Sequence, residues 1–414
     1  LITSAQLSGQ DYLGFFSPPG EERGFKFMLS DIKLTLSGQA ESMILLNDLK
    51  ESGGGELSVG DFYINMDLKV EYLFSSSGSI GAYFDWVPEQ SVLNVADPAK
   101  TGNSNNNNWV KADAYVSRPY LLPGLEGKWS ANDRNRFQVQ FGGLLASGLL
   151  PLDTIPNQYY LNTPLPLLQS QHYDKGIKIN YWWGAKDNPI VNLNAALIDG
   201  DYAIGESDVF ALHNSANNSY PSYAFGWELH PLALTPKVQK YTGDLYTGVT
   251  STVGDLGSYP GEKRRQNNIV TYVGYKRKLG PGIIELRGFL TDMERNPAGD
   301  GSGNHVDPIR TRGVGGELAY RDCHMFNQSF DYYVSLWRMY NRDDKADGEI
   351  WLTDEMGSLK GWSFGVKWND PFNITKHRIS YLGVQYTRVT VDDPPFNILY
   401  DDNDIITINA GLRW

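Results

Sequence analysis

Cys323 and His324 stand side by side in "YRDCHMFNQ", and a thiolate beside an imidazole is the beginning of a zinc site. The pair lacks the further ligands that a tetrahedral ion needs, so no metal is assigned to it. Cys323 is the single cysteine, which excludes an internal disulfide. Carboxylates crowd "RDDKADGE" (342–349) and "VDDPPFNILYDDND" (391–404), and such oxygens could take Ca²⁺. The first lacks the spaced ligand series and terminal Glu of a calcium loop, and solvated loop charge is the preferred reading of both. Ser, His and Asp occur, but without a nucleophile elbow, a metal-ligand pair at helical spacing or a phosphate loop. No catalytic residue, metal or cofactor is assigned, and an enzyme is not expected.

The charges that remain sit in alternating segments. In "FYINMDLKVEYLF" (62–74), Phe62, Ile64, Met66, Leu68, Val70, Tyr72 and Phe74 share one side. Tyr63, Asn65, Asp67, Lys69 and Glu71 share the other. A period of two is a strand with one dry and one wet face. At about 3.3 Å per residue the segment is roughly 43 Å long. Tilted near 45° it rises about 30 Å, the thickness of a bilayer core.

Similar segments run to the end of the chain, among them "GSIGAYFDW", "WVKADAYVS", "NRFQVQF", "GIKINYWW", "IIELRGFL", "GVGGELAY", "GWSFGVKW" and "IITINAGLRW". The pattern predicts sixteen strands, near 25–46, 62–74, 78–88, 108–118, 133–142, 172–183, 190–199, 221–232, 237–250, 266–279, 283–293, 309–320, 328–340, 359–369, 374–390 and 403–414. Changing parity between Leu36 and Leu45, and the stretch "KVQKYTGDLYTGV", allow fourteen or eighteen. No long window has the helical period. Short turns such as "SSSG", "AKDNP" and "GPG" mostly alternate with long polar stretches such as 88–108, 199–221 and 342–360. Long loops on one side and short turns on the other are the habit of a transmembrane antiparallel β-barrel, with periplasmic turns and external loops. The fold class is therefore all-β. Lipid would cover the apolar face and a water-filled lumen the polar one, and closure would leave no open edge in hydrocarbon.

Composition agrees. The 414 residues include 43 Gly, 25 Tyr, 17 Phe and 11 Trp, and mean hydropathy is −0.39. No run is long enough for a transmembrane helix, and a barrel escapes hydropathy because half of each strand is polar. Trp86, Trp109, Trp183, Trp227 and Trp368 near strand ends suit interfacial girdles. A net charge of −12 without a basic tract argues against nucleic acid as a partner. The first residue, Leu1, suggests a mature chain freed of a signal peptide.

At this point the chain resembles a Gram-negative outer-membrane porin of the sixteen-stranded type. Ile406, Ile408, Ala410, Leu412 and Trp414 alternate to a terminal aromatic, similar to the signal read by the barrel-assembly machinery. "KADAYVSRPYLLPGLEGKW" followed by "RFQVQFGG" is similar to the fourth and fifth strands of porins, after which a loop folds back into the pore. The resemblance implies that 143–171 is that constriction, with Asp153 its one charge and Tyr159 and Tyr160 available to a solute. It also implies residence in the bacterial outer membrane, contact with lipopolysaccharide and phospholipid, and a possible homotrimer.

Strand parity places Asp67, Lys69, Glu71, Lys111, Asp113, Arg136, Lys178, Glu228, Glu285, Arg287, Glu317, Lys367 and Arg413 on the lumen wall. That mixed wall implies weak ion selection. The function expected is passive diffusion of small solutes through the barrel 25–414, with 1–24 as a periplasmic or lumen segment. The alternatives are a channel selective for apolar or aromatic solutes or saccharides, and a plugged structural or adhesion barrel.

Overall fold

The computed structural model describes residues 25–49, 56–87, 94–96, 109–111, 120–147, 172–185, 188–198, 221–259, 262–295, 309–341, 358–369, 371, 380–392 and 403–413. Nineteen strands follow in chain order: β1 (Phe25–Leu29), β2 (Ile32–Leu49), β3 (Glu56–Ser75), β4 (Gly78–Val87), β5 (Asn94–Ala96), β6 (Trp109–Lys111), β7 (Tyr120–Asn132), β8 (Asn135–Ser147), β9 (His172–Ala185), β10 (Asn188–Ile198), β11 (Ser222–Leu229), β12 (Asp244–Tyr259), β13 (Glu262–Leu279), β14 (Gly282–Arg295), β15 (Ile309–Met325), β16 (Gln328–Asn341), β17 (Ser358–Asn369), β18 (Ser380–Asp392) and β19 (Asn403–Arg413). One short α-helix, α1 (Pro236–Thr242), occurs among the described residues.

Sixteen strands close into a ring. Each of β2, β3, β4 and β7 to β19 pairs antiparallel with the next, and β19 returns to β2 from Asn403↔Leu49 to Arg413↔Gln39. β1 adds a short piece of its own, pairing from Phe25↔Leu36 to Leu29↔Ile32. Because β3 already occupies the other edge of β2 at those residues, β1 lies on the β19 edge, beyond the end of β19. The closing stave is thus made from both ends of the chain. No strand of the ring keeps a free edge, as hydrocarbon requires.

The ring is inside-out relative to a water-soluble protein. Its exposed face carries Leu68, Val70, Val139, Phe141, Ile179, Leu193, Phe225, Leu286, Leu290, Leu336, Phe364 and Val384. Its buried face carries Glu71, Glu126, Arg136, Lys178, Asn180, Asn192, Glu285, Arg287, Glu317, Lys367, Gln385 and Asn409. Only lipid makes such an exterior favourable, at about 25 cal/mol for each Å² of apolar surface kept from water. Near the turn side stacked aromatics edge the apolar face, with Trp129 on Phe137 at 4.4 Å and Phe330 on Trp368 at 6.0 Å. No helix among the described residues is long and apolar enough to cross a membrane.

Several strands differ from the sequence pattern. The fourth stave is β7, not 108–118. Trp109–Lys111 instead pairs with Asn94–Ala96 in a separate two-stranded sheet, so Lys111 leaves the barrel wall. Asp113 lies outside the described residues. The alternation of β7 is hidden because Pro123, Gly124 and Gly127 stand where larger side chains would mark the period. The fifth stave runs to Ser147, so the first residues of 143–171 extend a strand. The expected strand 237–250 opens instead as α1, with Pro236 in its first turn and Gly243 closing it at φ 96°. Fixed φ at the start and a positive-φ glycine at the end bracket about two helical turns where alternation looked weak. β12 and β13 then extend until only 260–261 separates them, so that connection is not a long loop. The fifteenth strand is Ser380–Asp392 rather than 374–390.

Candidate functional site in the barrel interior

The interior wall divides by chemistry into three arcs. The first spans β2, β3, β4, β7, β8 and β9 and is built around two carboxylates. Glu71 is met by Lys33 at 3.0 Å, Lys128 at 3.3 Å and the Ser79 hydroxyl at 3.2 Å. Glu126 is met by Lys69 at 2.8 Å and Lys128 at 3.0 Å, and accepts from the Gln138 amide. Asn180 donates onward to Gln138 at 3.0 Å and Gln140 at 3.4 Å. Arg136 Nη2 donates to the Ala185 carbonyl at 3.1 Å, and Lys178 faces inward on β9. Among the described residues, five cations thus share this arc with two carboxylates.

Period-two alternation puts Glu71 two residues from Lys69, and Glu126 two residues from Lys128, on one face. The strand pairs then set these couples side by side across three strands. Both carboxylates are almost fully buried, and the lysines supply the opposite charge that a buried carboxylate needs.

The second arc spans β10 to β15. His230 follows the last residue of β11 and is 1% exposed. Its Nε2 lies 2.8 Å from Glu228 Oε1 and its Nδ1 2.9 Å from Asp244 Oδ2. Burial pulls the imidazole pKa down, but Glu228 and Asp244 together overcome this and raise it to about 10. A ring that gives both N–H groups to carboxylates is an imidazolium, with no lone pair left for general-base work. Glu228 also accepts from Asn192 at 3.0 Å and from the Tyr272 hydroxyl at 2.7 Å. Asp244 accepts from Gln239 of α1 at 2.9 Å, which ties the helix to the wall.

The arc continues through Tyr246, whose ring faces His230 at 5.7 Å and whose hydroxyl donates to Glu285 at 2.7 Å. Arg321 lies 2.8 Å and Arg287 3.2 Å from Glu285. Glu317 stands apart, 3.6 Å from Arg287 Nε, and neither of its oxygens has a hydrogen-bond partner. The third arc, β16 to β19, is mostly neutral. Tyr333 donates to Gln385 at 3.1 Å, Gln385 to Thr387 at 2.8 Å, and Lys367 sits 4.6 Å from the centre of the Tyr381 ring.

The structure places Lys69, Glu71, Arg136, Lys178, Glu228, Glu285, Arg287, Glu317 and Lys367 on the buried inner face. Asp67 and Arg413 fall in β3 and β19, but their side chains lie outside the described residues. Asp153, Tyr159 and Tyr160 also lie outside them, as does 148–171. Cys323 and His324 point to opposite faces, Cys323 buried and His324 exposed, so the pair forms no joint metal site. The sequence pattern missed Glu126 and Lys128 because β7 was hidden, although both alternate with Leu125 and Trp129. It missed Lys33, which alternates with Ile32 and Leu34. It also missed the union of His230 with Asp244, for which no spacing rule exists; the β11–β12 connection alone creates it.

A closed antiparallel ring with lipid-facing apolar side chains outside and charged ones inside is an outer-membrane β-barrel of the porin type. Solved structures carry the same fold. OmpF of Salmonella typhi, in complex with daunomycin, matches at a TM-score of 0.54 and 12% identity, covering 94% of this chain and 100% of that one. The outer-membrane channel DcaP of Acinetobacter baumannii matches at 0.52 and 12%, covering 94% and 99%. An anion-selective porin from Comamonas acidovorans matches at 0.52 and 10%, covering 92% and 100%. No protein-family model and no curated protein sequence matches the chain. The chain thus shares its fold with these outer-membrane barrels, and its apolar exterior is a surface that lipid must cover.

Proposed function

We propose that the chain is a non-enzymatic channel for passive diffusion of small polar solutes, preferring anions. The observation that supports this is the first arc, where, among the described residues, Lys33, Lys69, Lys128, Arg136 and Lys178 outnumber Glu71 and Glu126. Cations on one side of a confined path lower the barrier for anions and raise it for cations. The second arc is balanced among the described residues, where Glu228, Asp244, Glu285 and Glu317 face His230, Lys276, Arg287 and Arg321. Residues 143–147 extend β8, and we assign 148–171, which join β8 to β9 in sequence, as the constriction, with Asp153, Tyr159 and Tyr160 at the path. The four prolines of that segment, at 151, 156, 164 and 166, fix φ and suit a static narrowing. A homotrimer is part of the same proposal.

Reversal potentials across a salt gradient in planar bilayers test it. The wild type is expected to favour anions, and Lys69→Gln combined with Lys178→Gln to reduce that preference. Cation preference in the wild type would refute the reading. A second reading, a plugged structural barrel, draws on the third arc, where Ser335, Gln385, Thr387 and Thr407 are fully inaccessible. Deleting 147–168 separates the two: a severalfold rise in conductance fits the channel, and silence before and after fits the plug.

A further inference from the structure

The connection between β11 and β12 departs from the others on the turn side of the barrel. Connections there such as 133–134, 186–187, 280–281 and 326–327 are two residues long. This one holds a 3-10 turn, Pro231–Leu234, and then α1. So short a helix is not stable alone and must be held by what it touches. On one side Gln239 exchanges side-chain hydrogen bonds with Asn188, at 2.6 and 3.2 Å, and donates to Asp244. At about 100° per residue, Lys237 and Tyr241 stand opposite Gln239, with Lys240 on one flank and Val238 on the other.

The polar side of α1 is therefore the held side, and its apolar side is turned out. Leu234 is 58%, Val238 46% and Tyr241 74% exposed. A helix packed on a water-soluble core shows the reverse arrangement. Lys237 and Lys240 are exposed as well, and the first turn carries no acidic residue. Among the described residues, neither lysine is paired with a carboxylate.

The outer face of the barrel continues this surface. Tyr275 lies on the same face as the exposed Val273, and its hydroxyl donates to the Thr242 carbonyl at the end of α1. A Cβ on Gly243 would meet Arg277 Cβ at 2.9 Å and the Tyr275 hydroxyl at 3.0 Å, so Arg277 of that outer face stands there too. Leu245, the first outward residue of β12, is the direct cross-strand partner of Tyr275. The apolar side of α1 thus joins the lipid-facing belt at its turn-side edge, with Lys237, Lys240 and Arg277 around the junction.

We infer that α1 is an interfacial anchor, seated in the headgroup layer of the turn-side leaflet and engaging anionic phospholipid there. An amphipathic helix with lysines beside its apolar side lies in a membrane surface in this way. Each basic residue near an anionic surface adds to the attraction. In an outer membrane the leaflet on the turn side is the periplasmic one. Held to the wall at Gln239 and to lipid at Val238 and Tyr241, the helix fixes the β11–β12 connection at the edge of the bilayer. The inference rests on this connection alone and is independent of what passes through the interior.

Fluorescence quenching of the full chain in lipid vesicles tests it. In a Cys323→Ser background, Val238→Cys carries an environment-sensitive label. Val273→Cys is the lipid benchmark, and Lys278→Cys, exposed at the rim, is the water benchmark. In phosphatidylglycerol vesicles the label at 238 is expected to be quenched by brominated phospholipid, as at 273. It is expected to be shielded from aqueous acrylamide, unlike the label at 278. Replacing the lipid by phosphatidylcholine, or combining Lys237→Gln with Lys240→Gln, is expected to lower the lipid quenching at 238 about twofold or more. Acrylamide quenching at 238 equal to that at 278, without lipid quenching, would overturn the seat and leave the helix face to a protein partner. Equal lipid quenching in the two lipids would overturn the choice of anionic headgroups. Both leaflets of such vesicles are alike, so the direction of insertion does not affect the result.

Discussion

The ring of Tyr83 occupies the space that a side chain at residue 124 would need. A Cβ on Gly124 would come within 2.2 Å of Tyr83 Cζ, while the Tyr83 hydroxyl donates to the Gly143 carbonyl at 2.7 Å. One tyrosine thus fastens β4, β7 and β8 across the inner wall. The same fit recurs where Tyr272 lies over Gly248, Tyr246 over Gly274, Tyr333 over Gly365 and Tyr381 over Gly411. Gly124→Val should displace Tyr83 and cost about 1–3 kcal/mol, the usual range for overpacking. Unfolding from lipid vesicles in urea measures it. Stability equal to wild type would show that the ring is free to move.

His230 gives a pH prediction. Its folded pKa is raised, from 6.5 to about 10, so its contribution is complete below pH 6.5 and is lost as pH climbs through 10. The β11–β12 connection should stay latched at neutral pH and loosen in strong alkali, read by hydrogen exchange at 231–243. At neutral pH, His230→Asn should leave Glu228 and Asp244 without their shared cation, at a cost of about 3–5 kcal/mol. Early loosening near pH 7 in the wild type would contradict a doubly held imidazolium.

Glu285 and Glu317 should respond oppositely to the same change. Glu285 is bound by Arg321, Arg287 and Tyr246, so Glu285→Gln removes the negative charge that two buried guanidinium groups share and should destabilise strongly. Glu317 has no hydrogen bond to lose, and Glu317→Gln should cost little or stabilise. Urea unfolding of the two variants compares them directly, and a larger loss at Glu317 would mean the acid is held in a way its surroundings do not show.

How much of this was legible in the sequence depends on what each strand advertises. The segment 62–74 carries a full-sized apolar residue at every second position, and its inner and outer faces follow from parity alone. β7 does not, because Pro123 and Gly127 stand at two of its outward positions and Gly124, where Tyr83 approaches, leaves an inward one without a side chain. With β7 went Glu126 and Lys128, and with them the lysine that the two carboxylates of the first arc share. The Glu228–His230–Asp244 bridge joins residues across a helical connection, and only the closed fold states their distance.

The two faces should also differ in tolerance. Val139→Lys or Leu286→Lys puts an amine into the lipid-facing belt at a cost of about 2–4 kcal/mol near mid-membrane. Gln138→Lys or Asn409→Lys, on the inner face, should fold and change conductance instead. Folding yields in vesicles, followed by conductance of the folded fraction, check both halves. Equal tolerance on the two faces would contradict the inverted barrel.

The central claim is that the charged inner face lines a path open to water, and substituted cysteines test it most directly. In a Cys323→Ser background, Gln138→Cys and Val139→Cys place a thiol on the inner and outer face of the same strand. A charged, water-soluble thiol reagent added to single channels in a planar bilayer should lower the conductance of the Gln138→Cys protein in a discrete step. It should leave the Val139→Cys protein unchanged. Channels that conduct yet ignore the reagent at residue 138, or a chain that never conducts, would contradict the account.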